Sequence, residues 1–471
     1  MPAKKKPSEI KNRTIFTGDN LHVMRGMADE SVDLIYLDPP FNSKHDYSAP
    51  IGSEAAGAAF KDTWNLSDID EEWWGEIAES HPALHKLLEA IRDIGGKSMM
   101  SYAIYMAIRI IEMHRILKST GSIYLHCDTT AGHYLKLLMD AIFETSNFKN
   151  DITWKRTSTH NDGNTYGRIY DTILFYSKTD KYVWNPPYIP FSKEYIKKTY
   201  IHSDKNGKYR CSPLTAYGLA GGGYEYEFYG TTRLWKRPKD SMLKLEKSGG
   251  IHPPDKDGGI PYYKVYLNKS KGALLQNIWG DITKLSKDEK MGYPTQKPLI
   301  LLERIIKTSS NENDVIFDPF CGCATTCLAA EKLGRRWIGV DISELAAKLI
   351  KSRMLDAARA GDGEQETLDR FTKGAGEIVH RTDLPRQHAQ RDPCIRNKLY
   401  GTQEGICNGC LHHFEIRHMD LDHVIPSGDG GPDADDNLQL LCSSCNRIKG
   451  KKTMGELKAR LKDLGIIEGG K

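Results

Sequence analysis

Four consecutive residues, Asp38-Pro39-Pro40-Phe41, directly follow an apolar segment, 32–37, that predicts a buried β-strand. In an open parallel sheet, ligands bind at the carboxyl ends of the strands. The Asp38 carboxylate and the Pro39 carbonyl offer two hydrogen-bond acceptors with little freedom, and Phe41 offers a flat face for stacking. This set suits an exocyclic amino group on a planar ring. The alternative is a tight strand-to-loop turn closed by a hydrophobic side chain.

A second candidate site lies at 317–326, where Phe-Asp-Pro-Phe-Cys-Gly-Cys-Ala-Thr-Thr follows another predicted strand and opens a helix. Small residues such as Gly322 let a ligand approach the backbone, and the helix N-terminus supplies free N–H groups. The next predicted strand, 337–340, ends in Asp341, 19 residues beyond Gly322. An acid at that point is placed to bind the hydroxyl groups of a ribose.

Two cysteine pairs near the C-terminus, Cys407 with Cys410 and Cys442 with Cys445, can together hold one tetrahedral Zn²⁺ through thiolates. The 31 residues between the pairs exceed the usual spacing, so a further structural element must fit there. Because this part of the chain is too small for a large apolar core, a metal would supply much of its stability. Redox-active cysteines are the alternative.

These residues must be positioned by the predicted strands and helices. Strands and helices alternate along the chain, and this alternation predicts a doubly wound α/β sheet. The predicted strands are 15–17, 32–37, 122–126, 152–154, 172–176, 315–317 and 337–340, enough for one large sheet. The predicted helices are 100–117, 131–143, 299–309, 325–333 and 343–359.

The stretch 181–271 interrupts this rhythm and predicts an inserted, irregular module. It has 17 Lys and Arg against 8 Asp and Glu, a difference of +9 in a chain whose formal charge is +4, so the rest sums to −5. It also contains 12 of the 23 tyrosines. Basic charge interleaved with aromatic rings suits a partner with phosphates and bases. A solvated basic surface with tyrosines in its core is the alternative.

Length and composition limit the class of protein. At 471 residues, two to four domains are expected. With 39% hydrophobic and 27% charged residues, the composition is that of a soluble globular protein and excludes a collagen or a wholly disordered chain. No apolar run approaches the roughly 18 residues of a membrane span, and the start has no secretory signal pattern. Ten cysteines without a disulfide pattern indicate a reducing, cytoplasmic location.

The first two motifs, with 292–298 between them, resemble those of amino-group DNA methyltransferases of the permuted β order. Segments 115–128, 133–143 and 170–176 resemble the motifs that intervene in that family, so the resemblance covers 15–353. It implies a Rossmann-like, S-adenosylmethionine-dependent fold whose catalytic motif comes first. A target-recognition insert follows and the donor loop comes last, which puts the basic stretch where the family contacts DNA.

The resemblance also implies roles for residues. The catalytic set would be Asp38, Pro39, Pro40 and Phe41, and S-adenosylmethionine would be bound by Asp318, Phe320, Gly322, Thr325, Asp341 and Lys297. Asp318 and Lys297 would face the methionine end of the donor, although a solvated lysine before a helix-starting proline is the alternative for Lys297.

The exact residues of the two motifs bear on the methylated base and on the backbone of the donor loop. Asp-Pro-Pro-Phe resembles the adenine-N6 form of the family, because a Ser-Pro-Pro form is commoner for cytosine-N4. The donor loop usually reads Gly-Ser-Gly, whereas this chain has Gly322-Cys323-Ala324. Ala324 therefore lacks the freedom that glycine would give at a positive φ.

Within the cysteine-rich part, segments 421–426, 436–442 and 445–450 resemble the HNH (ββα-metal) endonucleases. Carried over from that family, His423 would be the general base and Asn437 would orient its imidazole. Asp422 and Asn446 would hold one Mg²⁺. Arg447 and Lys449 are candidate phosphate contacts.

These observations together predict a bifunctional restriction–modification enzyme that methylates adenine N6 and hydrolyses DNA. The alternatives are a methyltransferase whose zinc module serves as a DNA clamp, and a DNA-binding protein without activity. Double-stranded DNA is the expected partner, a second copy of the chain is a further candidate, and a membrane is excluded. The expected domains are a methyltransferase domain at 12–180 and 272–360, a target-recognition insert at 181–271, a linker at 361–395 and a nuclease domain at 396–471.

Overall fold

The structure is a computed structural model of the chain. It describes residues 10–42, 47–48, 59–60, 71–157, 164–216, 223–256, 258–282, 285, 289–293, 295–360, 365–383, 395–426, 431–432 and 434–467. By internal contacts these residues form two compact units, 1–185 with 277–471, and Pro186–Gln276.

The strands are β1 Thr14–Thr17, β2 Val32–Leu37, β3 Tyr47–Ser48, β4 Ala59–Phe60, β5 Leu117–Cys127, β6 Phe148–Lys155, β7 Tyr170–Ser177, β8 Tyr188–Ile189, β9 His202–Asp204, β10 Gly207–Pro213, β11 Tyr224–Phe228, β12 Thr231–Trp235, β13 Ile251–His252, β14 Tyr262–Tyr266, β15 Ala273–Leu274, β16 Ile278–Trp279, β17 Val315–Asp318, β18 Arg336–Asp341, β19 Val379–Arg381, β20 Met419–His423 and β21 Leu438–Cys442.

The helices are α1 Asn20–Arg25, α2 Glu71–Ser80, α3 Pro82–Ile116, α4 Gly132–Phe143, α5 Lys193–Thr199, α6 Lys239–Lys247, α7 Leu299–Ser309, α8 Thr325–Lys332, α9 Leu345–Ala360, α10 Gln365–Gly376, α11 Ile395–Thr402, α12 Ser443–Lys449 and α13 Met454–Asp463. No helix in the described part of the chain is both long enough and apolar enough to cross a membrane.

The predicted α/β sheet is confirmed, and it is larger than expected. Its order is β16-β6-β7-β5-β2-β17-β18-β1-β19, so all seven predicted strands are present with β16 and β19 at the two edges. Neighbouring strands are parallel except β7, which runs antiparallel to β5 and β6. Strand β2 is buried along almost its whole length, as its apolar run predicted. The five predicted helices are all present; the first begins at Pro82 and is interrupted at Gly96, where φ is +79°.

The predicted linker differs from expectation between 365 and 381. These residues form α10 and β19, and β19 pairs in parallel with β1, so that Val379 lies opposite Thr14. Phe371 and Ala375 of α10 are buried, because their spacing of four residues puts both on one helix face. The rest of the predicted linker, 361–364 and 384–394, lies outside the described residues.

The second unit, Pro186–Gln276, has regular structure where the sequence predicted an irregular module. A four-stranded antiparallel sheet has the order β13-β14-β10-β9, and two-stranded sheets are formed by β11 with β12 and by β8 with β15. Its small core contains Leu214, Phe228, Trp235, Met242 and Ile251. The sequence analysis missed these elements because their strands have only two to seven residues, and runs that short are hard to recognise. The predicted bounds, 181 and 271, stay predictions.

The C-terminal part packs against the N-terminal helices through α11 and α2. A Cβ atom added to Gly75 of α2 would lie 2.1 Å from the Asn397 carbonyl oxygen, and one added to Gly401 would lie 2.0 Å from the Glu71 carbonyl oxygen. The two helices therefore touch backbone to backbone at two glycines. Beyond them β20 and β21 form an antiparallel hairpin followed by α12.

Candidate functional site

The carboxyl ends of four neighbouring parallel strands form one edge of the large sheet and carry a cluster of acids. Asp38 follows β2, Asp318 ends β17, Asp341 ends β18 and Asp19 lies just after β1. A cavity of about 420 Å³ opens at this edge. Strand direction thus brings together acids that are far apart in the chain.

This cavity is lined by all ten residues that the sequence predicted for methyl transfer and donor binding. They are Asp38, Pro39, Pro40, Phe41, Lys297, Asp318, Phe320, Gly322, Thr325 and Asp341. The structure therefore brings the two motifs to one site; the individual roles of the residues stay proposals.

The Asp38 carboxylate has two different environments at its two oxygens. Lys297 Nζ donates a hydrogen bond to Oδ2 and a second one, of 3.2 Å, to the Thr295 carbonyl oxygen. Oδ1 is buried and has no hydrogen-bond partner among the described residues. A buried acceptor without a partner costs free energy unless a ligand donates to it. Lys297, which was expected to face the donor, lines the cavity and lies against Asp38; its role stays a prediction.

The Phe41 ring lies beside a buried histidine that the sequence did not single out. The rings of Phe41 and His126 are 6.2 Å apart with an interplanar angle of 23°. His126 is fully buried, with Tyr36 Oη 3.0 Å from Nδ1 and Asp171 Oδ2 3.2 Å from Nε2. Although burial raises it, the hydrogen bond with His126 leaves the pKa of Asp171 below its usual value. These contacts fix the wall against which Phe41 packs.

The donor loop is tied to Asp341 by its backbone. Gly322 N–H donates to Asp341 Oδ2 over 2.8 Å, and Ser343 N–H donates to Oδ1 over 2.9 Å. Each carboxylate oxygen keeps a lone pair for a further donor such as a ribose hydroxyl. Burial raises the pKa of Asp341 to about 6.

The backbone of the loop has the strain that the sequence indicated. Gly322 has a φ of +51°, and the expected positive φ at Ala324 is confirmed at +58°. A Cβ atom on Gly322 would lie 3.1 Å from the Tyr293 ring. Arg353 holds the loop by donating to the Cys323 carbonyl oxygen over 2.7 Å and to Thr325 Oγ1 over 2.9 Å. These bonds offset the cost of the left-handed alanine.

Asp318 is buried at the base of the cavity. Its Oδ1 accepts the Phe320 N–H over 3.0 Å. Burial raises its pKa to about 7, and the nearby carboxylates Asp38 and Asp341 contribute to that rise. A cationic group in the cavity would therefore find a cluster of acids, in which Lys297 is paired with Asp38 and Arg109 with Asp19.

Asp19 and Asn20 after β1, with Tyr105 and Arg109 of α3, are four residues of the cavity that the sequence analysis missed. Arg109 is almost completely buried, and its guanidinium donates to Asn20 Oδ1 over 2.7 Å and to both Asp19 oxygens. The Arg109 Cζ atom lies 3.4 Å from the centre of the Tyr105 ring. All four side chains line the cavity. The available signal was Gly18-Asp19, a small residue and an acid directly after a predicted strand.

The four C-terminal cysteines fit a zinc site. Cys407, Cys410, Cys442 and Cys445 are buried, and their sulfur atoms all lie within 4.8 Å of one another. The Cys410 and Cys442 sulfurs are 3.9 Å apart, close to the about 3.8 Å expected when two thiolates bind one tetrahedral Zn²⁺. Backbone N–H groups of Gly409 and Cys442 donate to the Cys407 sulfur, which favours a thiolate there.

His423 is partly exposed at the end of β20, and Asn437 lies at the start of β21. Asn437 Nδ2 donates to the carbonyl oxygens of Ile425 and Pro432, and its Oδ1 accepts the Ile425 N–H. Both amide protons are thus committed to the backbone that follows His423. The Asn437 side chain is therefore bound to the loop after β20, and its expected role toward the His423 imidazole stays a prediction.

The two expected Mg²⁺ ligands have different partners. Asp422 accepts hydrogen bonds from Lys449 Nζ over 3.2 Å and from Gln439 Nε2 over 2.9 Å, while Asn446 donates to Asp420 over 3.2 Å. Lys449, expected to contact phosphate, is buried and also donates to the His423 carbonyl oxygen. The side-chain oxygens of Asp422 and Asn446 suit a hard cation such as Mg²⁺. However, the Lys449 ammonium already neutralises the Asp422 carboxylate.

The sheet order and the cavity at its strand ends define a Rossmann-like methyltransferase fold. Residues 32–352 match the DNA methylase family of N6 and N4 enzymes, and residues 407–452 match the HNH endonuclease family. The chain belongs to the DNA methylase family and carries a C-terminal HNH domain. The family and the cavity support S-adenosylmethionine as the cofactor.

Curated relatives agree with that assignment. The chain is 30% identical to the type II methyltransferase M.EcaI of Enterobacter cloacae, over 79% of this chain and 75% of the relative. It is 33% identical to the Mod subunit of the type III restriction-modification enzyme StyLTI of Salmonella typhimurium, over 67% of this chain and 49% of the relative. It is 26% identical to the DNA adenine methyltransferase YhdJ of Escherichia coli, over 75% of this chain and 86% of the relative.

Proposed function

We propose that the chain transfers a methyl group from S-adenosylmethionine to the N6 amine of adenine in double-stranded DNA. The observation that carries the proposal is the environment of Asp38, whose Oδ1 is buried without a partner among the described residues while Lys297 occupies Oδ2. An amino group on a base supplies the missing donor. The Asp-Pro-Pro-Phe form of the motif and the similarity to an adenine methyltransferase favour adenine over cytosine.

In this proposal the chain makes a weak nucleophile stronger. The lone pair of an exocyclic amine is delocalised into the ring. Hydrogen bonds from its two N–H groups to Asp38 Oδ1 and the Pro39 carbonyl oxygen return electron density to nitrogen. Phe41 would stack on the base once it has left the helix, a step that costs a few kcal/mol. As the new N–C bond forms, one amine proton must leave, and Asp38 is the acceptor in reach.

The residues around the cavity fit the donor. S-adenosylmethionine would supply a methyl group on a positively charged sulfur, which becomes neutral when the methyl group is transferred. Asp341 would accept the ribose hydroxyls through its remaining lone pairs, and Asp318 would face the ammonium of the methionine end. Gly322 and the start of α8 leave room for the ligand to approach the backbone.

The test is to incubate the full chain with methyl-labelled S-adenosylmethionine and DNA, digest the DNA and identify the labelled nucleoside by mass spectrometry. We expect N6-methyladenine. Asp38→Asn should lower its formation by at least about 100-fold while S-adenosylmethionine still binds. Label only in N4-methylcytosine would overturn the choice of base, and no label in DNA would overturn the methyl transfer.

We propose hydrolysis of DNA by the HNH domain as a second activity, supported by the partly exposed His423 at the end of β20. In this proposal His423 accepts a proton from the attacking water, and Asn437 holds the loop behind it. Mg²⁺ would be held by Asp422 and Asn446 and would neutralise the phosphate. Because Lys449 is paired with Asp422, the ion must compete with that ammonium.

Unmethylated plasmid with Mg²⁺ distinguishes this activity from a DNA clamp. We expect cleavage by the native chain and by His418→Ala, a control for an exposed histidine just before β20, and none by His423→Ala. Methylation should continue in all three. If none of the three proteins cuts the plasmid, the HNH domain acts as a clamp; if the chain also fails to bind S-adenosylmethionine, it is a DNA-binding protein alone.

A further inference from the structure

The four-stranded sheet of the second unit carries two histidines and a cysteine on one face. His202 of β9 lies opposite Tyr209 of β10, and Cys211 lies two residues further along β10. Cys211 lies opposite Lys264 of β14, and His252 of β13 lies opposite Tyr262, two residues before Lys264. Because side chains alternate between faces along a strand, this register puts His202, Cys211 and His252 on the same face.

The three side chains converge although they come from three strands. One ligand atom from each of His202, Cys211 and His252 lies within 4.8 Å of the others. The two imidazole rings are 4.8 Å apart between their centres. All three residues are partly exposed, so an ion has access from solvent. Ligand atoms on one tetrahedral Zn²⁺ are about 3.3–3.8 Å apart, so small side-chain rotations suffice to bind an ion.

A neighbouring tyrosine orients one of the rings. The Tyr209 hydroxyl lies 3.1 Å from His252 Nδ1. A hydrogen bond at one ring nitrogen is how metal-binding histidines are usually held, since it fixes the ring and leaves the other nitrogen for the ion. His252 Nε2 is therefore the nitrogen available for a metal.

A cation beside the cluster does not prevent metal binding. Lys264 lies on the same face, but its Nζ donates to Asp204 Oδ2 over 2.8 Å. That carboxylate compensates the ammonium locally. An exposed acid, Asp255, follows His252 by three residues and is a candidate fourth ligand, as is water.

We propose that His202, Cys211 and His252 bind a Zn²⁺ ion in the second unit, separate from the four-cysteine site of the HNH domain. Two imidazoles and one thiolate are ligands that suit zinc among the common biological cations. The ion would join β9, β10 and β13, which are strands of only two to seven residues. Its role would be to fix the fold of this unit, since metal binding adds to folding free energy.

The zinc content of the purified full chain tests the proposal. With both sites filled we expect about two zinc ions per chain, and about one in Cys211→Ser. The matched control is His22→Ala, an exposed histidine of α1, which should keep both ions. X-ray absorption at the zinc edge should show nitrogen as well as sulfur ligands in the native chain, and sulfur alone in Cys211→Ser.

A second measurement keeps the proposal testable if Cys211→Ser does not fold. His252→Gln retains the thiol, and titration of the metal-free chain with Co²⁺ reports thiolate binding through its charge-transfer absorption. We expect the native chain to bind about two Co²⁺ ions and His252→Gln to bind the second at least about tenfold more weakly. One zinc ion per chain with sulfur ligands only, or metal content unchanged in both variants, would overturn the proposal.

Discussion

Lys297 and Asp38 are 259 residues apart in the chain, yet the lysine ammonium donates a hydrogen bond to one oxygen of the carboxylate. The other oxygen is buried without a partner among the described residues. The contact joins the catalytic motif, at the end of β2, to the segment that precedes α7. In the proposed reaction Lys297 would leave Oδ1 of Asp38 for the substrate and would act as a positioning residue.

Replacement of Lys297 by glutamine should slow methylation much more than it weakens donor binding. Without the ammonium the Asp38 carboxylate can rotate. Misplacement of a catalytic group by about 1 Å can cost about 100-fold in rate. S-adenosylmethionine affinity, measured by calorimetry, should change by less than about threefold. Lys290→Gln, an exposed lysine of the same segment, is the control. A large loss of affinity with an unchanged rate would instead assign Lys297 to the donor.

Donor binding should weaken in acid because of Asp341. Burial raises the pKa of this carboxyl to about 6, and only the ionised form offers its full set of acceptors to ribose hydroxyls and to the Gly322 N–H. Because half of the Asp341 carboxyls are protonated at pH 6, affinity should be nearly complete above about pH 7 and fall by up to about tenfold per pH unit well below 6. Equilibrium dialysis of S-adenosylmethionine between pH 7.5 and 5 (roughly two units around this pKa) measures the effect.

The variant Asp341→Asn separates the effect of this carboxyl on donor binding from the effect of Asp318, whose pKa burial raises to about 7. We expect the variant to bind the donor more weakly at neutral pH and to lose the part of the pH dependence below 6. If the native slope survives in the variant, another group is responsible.

The contact between α2 and α11 should be sensitive to a single methyl group. A Cβ atom on Gly401 would lie 2.0 Å from the Glu71 carbonyl oxygen, and backbone cannot yield as a flexible side chain does. Gly401→Ala should therefore detach the HNH domain from α2 and lower the stability of the chain by about 1–3 kcal/mol. Hydrogen exchange of α2 and α11 reports the separation. Gly455→Ala in α13, where a Cβ atom meets only ordinary contacts, should leave exchange unchanged.

Asp422 and Lys449 should show strong energetic coupling. The lysine side chain is 1% exposed and that of the acid 10% exposed, so removing the acid alone leaves a buried charge unpaired. Asp422→Asn should cost about 3–5 kcal/mol in the free energy of unfolding, and adding Lys449→Met should recover most of that loss. Thermal unfolding of the two single variants and the double variant measures the coupling. Additive losses would mean that the pair does not interact.

The local sequence was sufficient for much of the fold. All seven predicted strands are present, because runs of β-branched and aromatic residues bury both faces of a central strand. The motifs at 38–41 and 317–326 identified the site because their residue types have few other uses at a strand end. The positive φ at Ala324 could likewise be expected from its place in the loop.

Other features depended on distant parts of the chain. The edge strand β19 and the strands of the second unit are too short to be recognised alone, and pairing with their neighbours identifies them as strands. The contact of Lys297 with Asp38 could not be expected, because sequence order does not tell which of several acids a lysine will meet.

Residue type and spacing by themselves predicted the DNA methylase family and the HNH domain, and they indicated four cysteines that lie close enough together for a zinc site. Tertiary structure alone decided the partners: Lys297 on Asp38, Lys449 on Asp422, and His202 beside Cys211 and His252. The physical reason is that the two kinds of feature depend on residues at different distances along the chain. A motif is set by covalent neighbours, whereas ion pairs and ligand clusters form wherever strand order and direction bring side chains together.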